Sequence, residues 1–158
     1  MIVVDIETSG VTALDSSIVE IGALDLDNPE NTFLEEGRMC DEDKVNEDSL
    51  KIIGRTEKDL RGKNKKSEKE LLENFFKWVD SVKIKNCICH NPQFDLMFLS
   101  VKASKYGLKL PFHYRALDSH TIAVSRYLEI NGKLPIEKDY LDLGLSKISE
   151  FCGVEDYR

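Results

Sequence analysis

The chain has 158 residues, of which 41% are hydrophobic and 32% charged, and its formal net charge at pH 7 is −7. This length and composition predict a single domain over residues 1–158 with a sizeable apolar core. The negative charge argues against a protein that coats nucleic acid by bulk electrostatics. The apolar runs are too short to span a bilayer, and the chain opens directly with an apolar strand rather than a signal peptide. We therefore expect a cytoplasmic protein.

The opening of the chain combines an apolar strand with two acids. Residues 2–4 form a β-branched run that is typical of a buried strand. Because successive strand side chains point to opposite faces, Asp5 and Glu7 are predicted to share one face while Ile6 turns into the core. Two adjacent carboxylates raise each other's pKa, and a hard cation such as Mg²⁺ or Mn²⁺ would relieve that repulsion. From these residues alone, an ordinary solvated strand end is an equal alternative.

The residues after this strand predict a meander of antiparallel strands. Residues 18–27 have nearly alternating apolar positions, which is typical of a second strand. Residues 28–31 predict a turn, and residues 32–40 predict a third strand. The polar stretch that follows contains Thr56 and Asp59 at the spacing of a capped short helix.

From residue 67 onward, helices alternate with strands. Ser67 and Glu70 have the spacing of a capping box and predict the start of a helix. Its predicted apolar face is made of residues at helical spacing, namely Leu71, Leu72, Phe75, Phe76, Val79 and Val82.

The second half of the chain repeats this alternation. A short strand is predicted over 85–89, followed by a helix with Asn91 as N-cap and Pro92 at its first position. A brief strand is predicted over 116–117, and a last helix over 143–152 faces inward with its apolar side chains. Strands first, then strands alternating with helices, predict an α/β layered fold with a mixed β-sheet flanked by helices.

The chain has four cysteines and no CxxC pair: Cys40, Cys87, Cys89 and Cys152. Two of them alternate on the strand predicted over 85–89, and the last one ends an apolar helix face. We therefore expect buried free thiols. The less favoured alternative is a zinc site that combines them with His90 or His113.

A third acid follows the strand predicted over 85–89. Asp95 lies in the first turn of the next helix, within the sequence HNPQFDLMFL. An acid at that position interacts favourably with the helix dipole, so alone it would be a simple stabilising charge. However, Asp5, Glu7 and Asp95 all fall at strand ends, where α/β folds place their sites, and we interpret them as one site.

With these residues the sequence resembles the DEDD (DnaQ-like) 3′–5′ exonuclease superfamily, which includes polymerase proofreading subunits, RNase T and oligoribonuclease. The first family motif, a strand ending in Asp-x-Glu, is matched by Asp5 and Glu7 in VVDIETSG. The second, an Asn-x-x-Phe-Asp helix start, is matched by Asn91, Phe94 and Asp95. SIVEIGALDLD, SLKIIGRTEKDL, LDSHTIA and LSKISEFCGV also resemble the corresponding family segments, so the resemblance runs almost from end to end.

The resemblance implies an RNase H-like fold and phosphodiester hydrolysis with two divalent ions, Mg²⁺ or Mn²⁺. Asp5 would bridge both ions, Glu7 would help to hold the ion that activates water, and Asp95 would hold the second ion. The product would be a nucleoside monophosphate released from the 3′ end of single-stranded DNA or RNA.

The same resemblance implies a set of substrate contacts. Backbone groups around Thr8, Ser9 and Gly10 and the side chains of Asn91 and Phe94 would contact the terminal nucleotide. Ser9 stands where the family commonly has Thr, a change that keeps the hydroxyl. Single strands are the expected substrate, because the last bases must splay apart and stack on apolar side chains. The resemblance also allows a DNA polymerase as a partner, as in proofreading.

The third family motif supplies a fourth carboxylate and, in the commoner branch, a general-base His five positions before it. We favour the interpretation that the sequence stops short of this motif, since residues 154–158 occupy its approach. One alternative is Asp156 as the fourth acid, although no His or Tyr stands at the family's offset from it. The other is the pair His113 and Asp118, which has that offset but follows Asp95 too closely.

The missing acid bears on activity. Three carboxylates leave one positive charge of two divalent ions uncompensated, and the loss of a general base costs roughly 10²–10⁴-fold. We therefore expect the full gene product to be an exonuclease and these 158 residues alone to be weakly active or inactive. The alternatives are a catalytically inactive nuclease-like module that binds single-stranded ends or a polymerase, and a structural α/β domain whose acids are incidental.

Overall fold

The structure is a computed structural model that describes residues 1–154. Within these residues a six-stranded sheet has the order β4-β3-β2-β1-β5-β6, and β7 and β8 form a separate hairpin. Strands β1, β2 and β3 pair antiparallel, whereas β1–β5, β5–β6 and β3–β4 pair parallel. The predicted mixed sheet with flanking helices is confirmed.

The elements follow one another in chain order. The strands are β1 (Ile2–Thr8), β2 (Ile18–Asp25), β3 (Asn28–Arg38), β4 (Lys66–Ser67), β5 (Cys87–Cys89), β6 (Leu117–Asp118), β7 (Ile136–Glu137) and β8 (Tyr140–Leu141). The helices are α1 (Glu47–Ile53), α2 (Glu57–Leu60), α3 (Glu68–Val79), α4 (Pro92–Lys105), α5 (Ser119–Asn131) and α6 (Leu145–Phe151). Within the described range, no helix has the length and apolarity needed to cross a membrane.

Strand β1 has the alternation that its sequence predicts. Ile2, Val4 and Ile6 are buried in the main core, whereas Asp5 is exposed and Glu7 is half-buried on the opposite face. The ladder with β2 shifts register directly after Glu7, so the strand ends with an irregularity beside its two acids.

Helix α3 supplies much of the apolar core. Its capping box is present, with Ser67 and Glu70 satisfying each other's backbone N–H groups as predicted. The ring of Phe75 lies 5.3 Å from that of Phe33 on β3, so the helix packs against the sheet through aromatic contacts. All five of the predicted apolar residues within the helix are buried, and Val82 is buried just beyond its end.

The hairpin between β2 and β3 corrects the predicted turn. The turn consists of Leu26 and Asp27 rather than residues 28–31, and β3 begins at Asn28. Asp25 stabilises this tighter turn, because its carboxylate accepts the N–H of Asp27 at 3.1 Å. Pro29 is tolerated in β3 because β4 pairs with that strand only near its other end.

Several short elements escaped the sequence analysis. Helix α1, strand β4 and the β7–β8 hairpin were not predicted, and β5 is shorter than the predicted strand over 85–89. Two-residue strands carry too little periodicity to be distinguished from loops. The apolar residues of α6 are only half-buried, so the predicted inward face is incomplete within the described residues.

The cysteines are all free, as expected, but not all are buried. Cys87 and Cys89 are buried, Cys40 is half-buried and Cys152 is exposed. The expectation is wrong for Cys152 because α6 ends at Phe151 and the residue after it points away from the core.

Candidate active site

The three predicted acids meet at one edge of the sheet. Asp5 and Glu7 lie on β1, and α4 begins just after β5, which runs parallel to β1 as its direct neighbour. The first turn of α4 therefore reaches back over β1. The Ile6 N–H donates a hydrogen bond to Asp95 Oδ1 at 3.2 Å, which places the Asp95 carboxyl between the two acids along the strand.

Asp95 is a buried carboxyl in a negative environment. It is 3% exposed, and its pKa is raised to about 7, first by burial and then by the negative charge of Asp5. Glu7 adds to this rise, while hydrogen bonds from backbone N–H groups, including that of Ile6, oppose it. Burial together with the charge of Asp95 also raises the pKa of the Cys87 thiol to about 12, so that thiol stays neutral.

This donor set fits a divalent cation. All three side chains offer carboxylate oxygens, which are the ligands that Mg²⁺ and Mn²⁺ prefer. A bound cation would replace the repulsion between Asp5 and Asp95 by attraction and would favour the ionised form of the buried carboxyl. The charge conflict that the structure shows therefore falls on Asp95, whose pKa is raised by burial and by both acids of β1.

The start of α4 corrects one local prediction. Asn91 occupies the N-cap position with Pro92 after it, but its side chain makes no capping hydrogen bond. Its backbone is in the left-handed region at φ 64°, which asparagine tolerates better than most residues. Its N–H donates to Asp118 Oδ1 at 3.1 Å, so the end of β6 stabilises the turn that delivers Asp95.

Thr8 and Gly10 form a tight turn after the acidic strand. The hydroxyl of Thr8 donates to the carbonyl of Gly10 at 2.7 Å. A Cβ at Gly10 would lie 2.5 Å from Ser16 Oγ, so only glycine fits there without displacing a neighbour. Close packing therefore explains this glycine without a substrate.

Ser9 is fully buried and its polar groups all have protein partners. Its hydroxyl donates to the carbonyl of Lys44 at 2.9 Å and accepts the N–H of Ser17 at 2.9 Å. Its own N–H donates to the carbonyl of Ser17 at 2.9 Å, and its carbonyl accepts the N–H of Asn46 at 2.7 Å. Ser9 thus ties the loop after β1 to the loop that precedes α1.

An apolar cleft of about 280 Å³ opens beside Glu7. Helix α1 forms one wall with Ile52 and Ile53, and Phe94 of α4 contributes an aromatic ring. Ile52 is 81% exposed, so its side chain is accessible to a ligand in this cleft. The cleft is lined by Ile6, Glu7, Thr8, Val11, Ser49, Ile52, Ile53 and Phe94.

Phe94 and Thr8, predicted from the sequence as substrate contacts, line this cleft, whereas the wall from α1 was not predicted. The only local signals were the apolar patch that includes Ile52 and Ile53 and the N-cap residue Asn46, whose side chain accepts from two backbone N–H groups. Such a patch indicates a contact surface but not where in the fold that surface lies.

The structure excludes His113 and Asp118 as a substitute for the third motif. The N–H of His113 donates to the carbonyl of Lys85, before the start of β5, whereas the acids lie beyond the other end of that strand. The Asp118 carboxylate is occupied by the N–H groups of Asn91 and His120 and by the Thr121 hydroxyl. It caps α5. Asp156, the other substitute, lies outside the described residues.

A second polar cluster lies beside the start of β2, where Glu68 accepts the N–H of Ile18. Within residues 1–154, ligand atoms of Cys40, Asp43 and Glu68 all lie within 4.8 Å of one another. The Lys102 ammonium is buried among them, 2.9 Å from Asp43 Oδ2 and 3.9 Å from Glu68 Oε1. Because a protein cation already compensates these acids, we interpret the cluster as a structural network.

Comparison with known proteins identifies the family. The model of an exonuclease family, described as "RNase_T: Exonuclease", matches residues 2–153. The chain belongs to this exonuclease family. The resemblance to the DEDD exonucleases is thereby confirmed.

Two curated relatives agree with this membership. Ribonuclease T of Actinobacillus pleuropneumoniae serotype 5b (strain L20) is 28% identical over 142 residues, which cover 80% of this chain and 64% of the relative. A DNA polymerase III PolC-type of Caldanaerobacter subterraneus subsp. tengcongensis is 28% identical over 154 residues, which cover 98% of this chain and 10% of the polymerase. This exonuclease-family chain thus spans less than two thirds of either relative.

Solved structures agree on the fold. E. coli Exonuclease I in complex with a dT13 oligonucleotide superposes with a TM-score of 0.74 at 14% identity, covering 98% of this chain and 36% of that chain. The zinc-ion-bound form of an E. coli ExoI–ssDNA complex superposes with a TM-score of 0.78 at 14% identity, covering 99% and 35%. These similarities confirm the predicted RNase H-like architecture.

Proposed function

We propose that this protein hydrolyses single-stranded DNA or RNA from the 3′ end and releases nucleoside monophosphates. The observation that carries the proposal is the convergence of a buried carboxyl, Asp95, with Asp5 and Glu7 beside an apolar cleft. A hydrolytic site for nucleic acid ends needs both parts, because the phosphate requires cations and the base requires a stacking surface. Family membership and the Ribonuclease T relative support the nuclease class.

In this proposal Asp5, Glu7 and Asp95 hold Mg²⁺ or Mn²⁺. Two such ions, when bound, would activate the attacking water and stabilise the leaving 3′ oxygen. Asp5 is exposed and would be accessible to the ions, whereas the buried Asp95 carboxyl is held in place by the Ile6 N–H. This hydrogen bond orients Asp95 before any ion arrives, so little reorganisation is needed.

The cleft would take the terminal base. Ile52 and Phe94 offer apolar surfaces on two walls, and Thr8 lines the cleft next to Glu7. Stacking of this kind favours single strands, because a base in a duplex is not free to enter the cleft. Asn91 remains a proposed contact through its exposed side chain. Ser9 and Gly10 would act by shaping the loop, since their polar or packing contacts lie within the protein.

We also propose that the site formed by the described residues is incomplete. An apolar strip crosses the face of the sheet that carries Asp5, and in it Leu34 is 72% exposed and Leu117 is 43% exposed. The other members of this strip are Val3, Leu24 and Ile88. A further element that covers the strip would stand beside Asp5 and could bring the fourth carboxylate and a proton acceptor. Without it, we expect the 158 residues to be weakly active.

The second candidate is a module that binds nucleic acid ends, or a polymerase, without cutting. It is favoured by the count of acids, because three carboxylates do not balance two divalent ions. The PolC-type relative supports a polymerase link, since a matching segment occurs within a polymerase chain.

One experiment separates these functions. A 5′-labelled single-stranded oligonucleotide, as DNA and as RNA, is incubated with the protein and Mn²⁺, and the products are resolved by length. A ladder that shortens from the 3′ end and disappears in Asp5→Ala supports the exonuclease, and comparison of the two substrates shows which sugar is preferred. Binding without shortening supports the module, and neither binding nor shortening contradicts both.

A further inference from the structure

A row of three glutamates crosses the sheet beside the proposed metal site. Glu7 of β1 is directly opposite Glu20 of β2, which in turn is directly opposite Glu36 of β3. Residues paired in this way point to the same face, so the three carboxylates lie side by side. Like charges directly opposite one another are destabilising, and such a row would also repel the phosphates of a nucleic acid.

Arg55 compensates the row at its centre. Its Nη2 donates to Glu20 Oε2 at 2.5 Å and to Glu36 Oε1 at 2.8 Å, which makes one guanidinium the bridge between two strands. Lys65 pairs separately with the other oxygen of Glu36 at 2.7 Å. Arg55 is only 25% exposed, so this pairing is screened less by water than a surface ion pair.

The bridge is also attached to the wall of the cleft. Helix α1 ends at Ile53, its C-cap Gly54 adopts the left-handed conformation at φ 65°, and Arg55 is the next residue. The Arg55 N–H donates back to the carbonyl of Leu50 at 3.2 Å, which fixes the arginine relative to the last turn of α1. That turn carries Ile52 and Ile53, which form one wall of the cleft. The ion pairs of Arg55 with the sheet therefore also fix the distance between this wall and Glu7.

One nitrogen of the Arg55 guanidinium takes no part in this pairing. Arg55 Nη1 is buried and has no hydrogen-bond partner among the described residues. A buried donor without a partner costs free energy, which the ion pairs of Nη2 offset.

We propose that Arg55 is a positioning residue that makes this acidic edge accept the anionic end of a nucleic acid. It acts by cancelling Glu20 and Glu36 next to Glu7 and by holding α1 against the sheet. This inference rests on the proposed function, because it assigns Arg55 a task in binding the same substrate at the same cleft. Arg55 is not proposed to touch the reacting phosphate.

Replacement of Arg55 should change the affinities for the two ligands of the site, Mn²⁺ and an oligonucleotide, in opposite directions. Removing its positive charge leaves the row more negative, so Mn²⁺ should bind as tightly as before or more tightly. An oligonucleotide should bind more weakly, because its phosphates are repelled and the wall of α1 is loosened. General damage to the fold would instead weaken the binding of both ligands, so the direction of the change in Mn²⁺ affinity distinguishes the two explanations.

The test uses the full 158-residue chain with Arg55→Met and, as matched control, Lys65→Met. Among the described residues, Lys65 forms an ion pair with Glu36 but with neither Glu20 nor a residue of α1. Mn²⁺ binding is measured by calorimetry without nucleic acid, and binding of a fluorescent oligothymidylate is measured with Ca²⁺ at low and high salt. In Arg55→Met we expect a loss of roughly five- to tenfold in oligonucleotide affinity, smaller at high salt, with Mn²⁺ affinity retained or increased. Lys65→Met should change either affinity by less than about twofold.

A second variant removes a negative charge instead of a positive one, so that the inference can be tested even if Arg55→Met does not fold. Glu20→Gln removes one negative charge and leaves Arg55 bound to Glu36, so the oligonucleotide should bind as well as or better than in the wild type while Mn²⁺ binds more weakly. Two results with Arg55→Met would overturn the inference and leave the proposed function intact: equal losses of affinity for both ligands, or no loss of oligonucleotide affinity. A Glu20→Gln variant whose two affinities changed in the opposite directions to those expected would have the same consequence. A wild-type chain that binds neither Mn²⁺ nor oligonucleotide would overturn both.

Discussion

The raised pKa of Asp95 predicts how the stability of the protein depends on pH, which can be measured without substrate. In the folded protein this carboxyl holds its proton up to a pH of about 7, whereas in the unfolded chain it ionises near 3.8. The folded state therefore binds more protons between these values, and its stability falls as pH rises through them. The penalty is absent below about pH 4 and complete above about pH 7. Replacing Asp95 by asparagine removes it, so Asp95→Asn should stabilise the metal-free protein at alkaline pH.

The size of the effect follows from the two pKa values. A carboxyl whose pKa rises from 3.8 to about 7 loses about 4 kcal/mol of stability at alkaline pH relative to an unperturbed one. At pH 5 only about 1–2 kcal/mol of this penalty has developed. Asparagine can still accept the Ile6 N–H through its amide oxygen, so the hydrogen bond makes a similar contribution in both variants at every pH. The gain from Asp95→Asn should thus be about 2–3 kcal/mol larger near pH 8.5 than near pH 5.

Urea unfolding with a metal chelator, at both pH values, measures this difference. Asp118→Asn is the control, because the pKa of Asp118 lies below its ordinary value. Burial acts to raise it, but hydrogen bonds from the Thr121 hydroxyl and from backbone N–H groups outweigh burial. Its ionised form stabilises the fold above the unfolded pKa, so its loss should destabilise the protein near pH 8.5. If Asp95→Asn gave the same change at both pH values, the buried carboxyl would not carry the charge conflict described above.

Two further predictions test the cleft and the polar cluster. Ile52→Ala should alter stability by less than about 0.5 kcal/mol but weaken oligonucleotide binding by about 1 kcal/mol, measured by fluorescence anisotropy. Leu14→Ala is its matched control, since both side chains are 81% exposed, and an equal effect of the two would remove Ile52 from the site. Lys102→Met should lower the free energy of unfolding by roughly 3–5 kcal/mol, because Asp43 and Glu68 would lose the buried ammonium that pairs with both. A loss below about 1 kcal/mol in urea unfolding would show that water reaches this cluster.

Much of the fold was predictable because its signals are local. The alternation along residues 2–7 places Asp5 on one face and Ile6 on the other, which depends only on the geometry of a strand. The capping box of Ser67 and Glu70 involves residues three apart, and it defines the start of α3 as predicted. The elements that were missed or misplaced, such as the turn at residues 26–27, depend on pairing with partners that the local pattern does not reveal.

The candidate site divides in the same way. Its acids were recognisable as motifs, and the family that they resemble is confirmed by the family-model match over residues 2–153. That the Ile6 N–H meets Asp95, 89 residues further along the chain, required the parallel pairing of β1 with β5. The raised pKa of Asp95 follows from that meeting and from burial, neither of which is a property of the residue alone.

The sequence by itself determined which residues could do chemistry here, because residue type and spacing decide where carboxylates stand on a strand or a helix. Only the tertiary structure decided which of them share a site, that α1 walls the cleft, and that Arg55 lies between Glu20 and Glu36. The physical reason is that the strengths of charge interactions and of apolar contacts depend on distance and burial. Those quantities are set by how strands from distant parts of the chain pair, not by the order of residues within any one segment.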